Sequence, residues 1–155
     1  MEELENLKID QLGFVYKDVE KQAKIMEGFP GAKKFVIFQP IDVNVIYRGV
    51  EKTIKMKSAF GRVFDTELEL LQPVEGYSIY NEFLDQGKEG FHHIGYKIEN
   101  FDEIVNNYKS ESIKILQSGK LVRLKYAYMD TEETMGTIIE FIQESIRKKR
   151  KKLIK

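Results

Sequence analysis

The chain has 155 residues with 25 basic and 25 acidic side chains, so it carries no net field to draw it onto nucleic acid or anionic lipid. Hydrophobic residues at 42% and aromatics at 12% are enough to build a core, which excludes wholesale disorder. Cysteine is absent, and with it disulfide scaffolds, thiolate metal sites and cysteine nucleophiles.

The length suits one domain, or two small half-domains packed as a unit. No apolar run approaches the roughly 20 residues of a membrane span. The first ten residues, "MEELENLKID", lack the basic and apolar regions of a signal peptide, so the expectation is a soluble, cytoplasmic protein. The elements then follow in chain order. "KIDQLGFVY" has strand composition and leads to Asp18, placed to cap a helix through "VEKQAKIMEGF". "GFPGAK" is a helix stop and turn. "KFVIF" and "VNVIY" read as two strands on either side of Pro40, and "TIKMKSAFGRVF" alternates with period two. "ELELLQ" is a further strand. "PVEGYSIYNEFLDQGKEG" reads as a turn and a short helix capped by Ser78. The strand "FHHIGYKI", a helix from Phe101 to Ser110, and the strands "IKILQ", "LVRLKYAYM" and "TIIEFIQ" complete the pattern. The closing "RKKRKKLIK" reads as a solvated basic tail.

The chain is written twice. "IDQLGFVYKDVEK" lies over "FHHIGYKIENFDE" at an offset of 82 residues, which sets Gln11 on His93 and Gly13 on Gly95. "VFDTE" lies over "YMDTE" at an offset of 65, and "ELLQ" over "EFIQ" at 71. The order of the matches is constant and only the loop lengths change. The expected fold is α+β: two paired βαβββ modules forming a curved mixed sheet around a central cleft, because half-sheets of this size cannot bury both faces alone. The first module covers residues 8–73, a linker with a short helix 74–90, the second module 91–143 and the basic tail 144–155.

Both histidines of the chain are adjacent, His92 and His93. Successive side chains on a strand point to opposite faces, so one turns inward and the other outward. The overlay on Gln11 assigns His93 inward and leaves His92 to packing or support. The closing strands add a matched pair, Glu69 and Glu140. Glu140 sits among apolar residues in "TIIEFI", where a carboxylate is costly to bury without a cation or donors beside it. The alternation of "ELEL" also allows Glu69 to face solvent. With both glutamates inward, Gln11, Glu69, His93 and Glu140 make four nitrogen and oxygen ligands, a set that suits zinc, nickel, cobalt or manganese. Gly13 and Gly95 permit close backbone approach and lie in no phosphate-loop pattern.

In these residues, and in "ELELLQPVEG", "EGFHHIGYKI" and "YAYMDTE", the chain resembles the vicinal oxygen chelate superfamily over residues 8–143. This superfamily includes glyoxalase I, methylmalonyl-CoA epimerase, extradiol dioxygenases and metal-free bleomycin-resistance proteins. The dioxygenases use two histidines and a carboxylate, which one inward histidine does not supply. The epimerases usually carry histidine at the place of Gln11 and glutamine at that of Glu69. Zinc-type glyoxalase I is similar to this chain at all four positions.

The resemblance implies one divalent ion per site and proton transfer beside a carbonyl, through an enediolate or enolate, with Glu140 or Glu69 as the base. The leading expectation is a glyoxalase I-like lyase of the lactoylglutathione lyase type. The alternatives are a methylmalonyl-CoA epimerase-like enzyme and a non-catalytic binding protein of the bleomycin-resistance type. The expected partners are a small-molecule substrate, either a 2-oxoaldehyde–thiol adduct or an acyl-CoA ester, and a second copy in a homodimer that covers open sheet edges.

Overall fold

A computed structural model describes residues 2–145, in the order α1 (Glu2–Glu5), β1 (Gln11–Val15), α2 (Val19–Glu27), β2 (Val36–Tyr47), β3 (Val50–Val63), β4 (Thr66–Glu75), α3 (Ile79–Asp85), β5 (Gly90–Lys97), α4 (Phe101–Ser110), β6 (Ile115–Leu121), β7 (Leu124–Met129), α5 (Glu132–Met135) and β8 (Ile138–Glu144). The caps read from sequence are in place. The Asp18 carboxylate accepts from the backbone N–H of Lys21 at 3.0 Å, and α2 stops at Gly28. Ser78 and Asn81 form a capping box at the start of α3, which satisfies helix N–H groups that have no partner within the helix. The short helices α1 and α5 have no counterpart in the sequence reading.

The eight strands close into a barrel in the order β1-β4-β3-β2-β6-β7-β8-β5. It is a mixed sheet: β1 runs parallel to β4 and β5 parallel to β8, while the remaining neighbours are antiparallel. The two halves meet where β1 pairs with β5, and again where Val45–Tyr47 of β2 pairs with Gly119–Gln117 of β6. The expected curved sheet is therefore present, and it wraps far enough to close.

Two expectations are corrected here. Residues 34–38 and 43–47 are not separate strands; β2 runs through Pro40 as one strand with a register shift between Phe38 and Ile41. Proline lacks the N–H that a ladder needs, so it sits in the irregularity rather than ending the strand. The overlay of "VFDTE" on "YMDTE" is also not structural. Phe60 pairs with Glu69 and Tyr128 with Glu140, so those two residues are equivalent in the two halves, and the "DTE" match is out of register.

Strand alternation divides the buried side chains by face. Leu68 and Leu70 of β4 turn outward onto Val19 and Ala23 of α2. Ile139 and Phe141 of β8 turn outward onto Ile104 and Val105 of α4. Leu71, Ile138 and Ile142 turn inward with Val15, Val43, Ile54, Tyr80, Tyr126 and Tyr128. Glu69 and Glu140 alternate with the outward residues, so the same pattern that docks the helices aims both carboxylates into the barrel. Among the described residues no helix is long and apolar enough to cross a membrane. The basic run 147–155 lies outside the described residues.

Candidate metal centre

The centre is assembled from four strands. On the β1–β5 ladder Gln11 pairs with Gly95 and Gly13 with His93, two pairs that exchange under the internal twofold. On the parallel ladders Gly13 is beside Glu69 and Gly95 beside Glu140. His93 Nε2 lies 3.3 Å from Glu69 Oε2 and 3.2 Å from Glu140 Oε2. The ligand atoms of this trio fall within 4.8 Å of one another. Gln11, His93 and Glu140 are buried, and Glu69 is partly so. All four residues predicted as ligands therefore face the barrel interior, and Glu69 does not face solvent.

Their polar atoms are left over. Gln11 Oε1, Glu69 Oε2, His93 Nε2 and Glu140 Oε2 are buried and have no aligned hydrogen-bond partner among the described residues. Buried polar groups are normally paired, and an orphan costs about 1–3 kcal/mol, more when charged. The cluster combines nitrogen and oxygen donors with two carboxylates in a buried site, so the residues present fit a divalent ion. Glu69, His93 and Glu140 could each offer it one ligand atom, with the Gln11 carbonyl as a fourth.

Gln11 and His93 are held by neighbours, among them Glu67 and Tyr128, that the sequence reading did not single out as part of the site. Gln11 donates its Nε2 to Glu67 Oε1 at 2.8 Å. A carboxylate only accepts, so this bond turns the amide oxygen toward the cluster. The signal was available: Glu67 stands two residues from Glu69 and so shares its face. The His93 ring occupies space over Gly13, where a Cβ would overlap it, and the Tyr128 ring meets it edge-on at 4.9 Å. Gly95 leaves room for Gln11 in the same way. Both glycines thus serve close approach, with side chains rather than backbone filling the space.

His92 departs from the expected alternation. Gly13 pairs with His93 and Phe14 with Phe91, which leaves His92 as an extra residue in a bulge of β5. The bulge breaks the period of two. Both imidazoles are buried, and their Nδ1 atoms approach to 3.0 Å. His92 itself stands outside the carboxylate cluster, packed against Phe83 and Tyr80 with ring centroids 5.0 and 5.8 Å away.

The electrostatics follow from burial beside like charge. Burial raises the pKa of Glu69 above its usual range, and the charge of Glu140 adds to this against the lowering effect of His93. For His93 burial favours the neutral ring, but the Glu140 and Glu69 carboxylates outweigh it and lift the pKa to about 9. Without a metal, the cluster is thus a buried imidazolium between two carboxylates. It stands at the wall of a cavity of about 540 Å³, lined by Phe38, Ile41, Val43, Met56, Leu71 and Ile142 among others. Lys97, Glu67 and Glu144 line the same cavity, and Lys97 is paired with Glu144 at 3.0 Å.

The profile of the glyoxalase/bleomycin resistance protein/dioxygenase superfamily matches residues 10–127. The chain belongs to this superfamily. Solved structures of the same fold include a hypothetical protein from Bacillus halodurans, with a TM-score of 0.67 and 19% identity over 92% of this chain and 97% of that one. They also include the methylmalonyl-CoA epimerase of Mycobacterium tuberculosis, with a TM-score of 0.64 and 14% identity over 89% of this chain and 88% of that one. A variant of the Streptomyces coelicolor methylmalonyl-CoA epimerase in complex with 2-nitronate-propionyl-CoA gives a TM-score of 0.62 and 15% identity over 88% and 94%. No curated protein matches the sequence. At these identities the likeness is one of fold.

Proposed function

We propose that this protein is a metal-dependent enzyme that moves a proton on the carbon beside a substrate carbonyl, as a lyase or isomerase of the glyoxalase I kind. The observation that carries this reading is the set of four buried atoms without an aligned hydrogen-bond partner, Gln11 Oε1, Glu69 Oε2, His93 Nε2 and Glu140 Oε2, of which Gln11, Glu69 and Glu140 line a cavity with apolar walls. A zinc, nickel, cobalt or manganese ion held there would supply Lewis acidity toward the substrate carbonyl. Gln11 and His93 would contribute neutral ligands, and Glu69 and Glu140 would contribute charge.

The remaining chemistry falls to the chain. Glu69 and Glu140 stand at equivalent places in the two halves, on either side of His93. A carboxylate beside the reacting carbon is placed to act as a general base, and both glutamates line the cavity. One glutamate removes the proton, and either returns it. Return to the neighbouring carbon gives the glyoxalase outcome, and return to the opposite face of the same carbon gives an epimerase. The apolar side chains of β2, β3 and β8 give the carbanion a largely apolar wall between these steps.

Ligand identity favours the first outcome, since Gln11 and Glu69 match the zinc-type glyoxalase I set. An epimerase acting on an acyl-CoA ester is the second reading, supported by the methylmalonyl-CoA epimerases among the structures of the same fold. The two buried carboxylates around His93 weigh against a binding protein without chemistry. We place the protein in the cytoplasm as a homodimer.

Metal-loaded protein in D₂O, offered a methylglyoxal–thiol hemithioacetal and separately methylmalonyl-CoA, tests the proposal. The expected result is one divalent ion per chain and turnover of the hemithioacetal, lost in Glu140→Gln with the fold intact. Epimerisation with solvent deuterium entering carbon 2 of methylmalonyl-CoA would select the second reading. An ion bound tightly with neither substrate exchanging a proton would return the protein to the non-catalytic class.

A further inference from the structure

Two imidazole nitrogens at hydrogen-bond distance impose a condition on each other. The Nδ1 atoms of His92 and His93 are 3.0 Å apart, so one must carry the proton and the other a lone pair. The opposite nitrogen of His93, Nε2, faces Glu69 and Glu140. If Nε2 is the atom offered to a metal, the neutral ring must carry its proton on Nδ1. Among the described residues, His92 is the one placed to receive it.

We propose that His92 is a positioning residue for the metal centre, accepting the Nδ1–H of His93 through its own Nδ1 and so holding His93 in the tautomer and orientation that present Nε2. This inference rests on the metal reading of the previous section. Metal-binding histidines usually give their second N–H to a carboxylate or a carbonyl. Here a second imidazole takes that role. Its proton is then on Nε2, on the side of the ring away from the centre.

Three features of the fold support the assignment. The bulge in β5 gives an adjacent residue access that a regular strand would deny it. The Phe83, Tyr80 and Tyr128 rings surround the His92 ring, with centroids at 5.0, 5.8 and 6.1 Å, so its direction is set by packing. The His92 side chain is itself buried, which limits competition from water for the His93 Nδ1 proton.

The test uses the full chain, zinc, and two substitutions. His92→Phe keeps a ring in the aromatic packing and removes the acceptor. His92→Gln restores an acceptor on a flexible chain. We expect zinc affinity to fall by about 10–100-fold in His92→Phe and to recover in large part in His92→Gln, with both melting cooperatively. Long-range ¹⁵N–¹H spectra of the parent protein give a reading that needs no variant. They should show His92 protonated on Nε2 with and without zinc, and His93 in the Nδ1–H form when zinc is bound. A His92 ring protonated on Nδ1, or a folded His92→Phe protein that binds zinc as the parent does, overturns the proposal. If the parent binds zinc in that second case, the metal centre stands and only the role of His92 falls. If the parent binds no ion, the metal reading fails, and this inference fails with it.

Discussion

Gln11 and His93 are partners under the internal twofold, and each reaches the centre over a glycine of the other's strand: His93 over Gly13 and Gln11 over Gly95. The glycines differ in tolerance. A Cβ on Gly13 would overlap the imidazole, whereas one on Gly95 would lie 3.2 Å from Gln11 Cβ and 3.3 Å from Gln11 Oε1, tight but open to relaxation. Gly13→Ala should therefore displace His93, lowering zinc affinity about a hundredfold or more and stability by about 1–3 kcal/mol. Gly95→Ala should cost no more than about tenfold in affinity. Calorimetric zinc titration and thermal melts of both proteins check the order. Equal losses would mean that the cradle is not specific to the ring.

The metal-free protein should lose stability as pH rises through neutrality. His93 has a folded pKa of about 9 against an ordinary 6.5, so its contribution is full below 6.5 and is lost as pH climbs through 9. Glu69 acts in the same direction. Its folded pKa is raised, so its charged form imposes a penalty that is absent at acid pH and grows as the group ionises. Metal binding must displace the His93 proton, so zinc affinity should rise by up to about tenfold per pH unit between 6.5 and 9 and then level off. Urea titrations in chelator and zinc titrations at four pH values test both halves. A flat affinity profile would place His93 outside the ligand set.

Much of this architecture could be read from the chain because the signals are local. The caps Asp18 and Ser78 and the span of α4 depend on residues within a few positions of one another. The overlay of Gln11 on His93 worked because a strand and its glycine recur together ahead of a helix. What stayed hidden depends on register between distant strands. The bulge at His92 exists only because Gly13 and Phe14 choose His93 and Phe91 as partners, and no period in "GFHHIGYKI" announces it. Pro40 marked an interruption, yet β3 carries β2 across it. The match of "VFDTE" to "YMDTE" shared letters without sharing a place in the ladder. Tyr80 enters the barrel from α3, outside both repeats, so no comparison between the halves points to it.

Two buried carboxylates around one imidazole are a burden to the metal-free fold. His93 is held charged chiefly by Glu140, with Glu69 the weaker partner. Replacing Glu69 removes a repulsion and leaves the His93–Glu140 pair in place. Glu69→Gln should therefore stabilise the metal-free protein by about 1–3 kcal/mol at pH 8, while abolishing tight zinc binding. Chemical denaturation in chelator measures the first effect and zinc titration the second. A destabilised Glu69→Gln protein would show that Glu69 serves the fold rather than the site.

Glu67 sets which end of the Gln11 amide faces inward. Glu67→Leu removes the acceptor for Nε2 and lets the amide rotate, so zinc affinity should fall about tenfold. Glu67→Gln still offers an acceptor oxygen and should stay within about threefold of the parent. Loss of a nearby negative charge would also weaken cation binding, and a double-mutant cycle separates the two causes. Gln11→Glu replaces the amide with a carboxylate whose two ends are equivalent, so orientation no longer matters. In that background Glu67→Leu should cost nothing, or should raise affinity by relieving the repulsion between two carboxylates 2.8 Å apart in the parent geometry. If the Leu substitution weakens zinc equally in both backgrounds, Glu67 acts through its charge alone, and the hydrogen bond to Gln11 has no part in presenting the ligand.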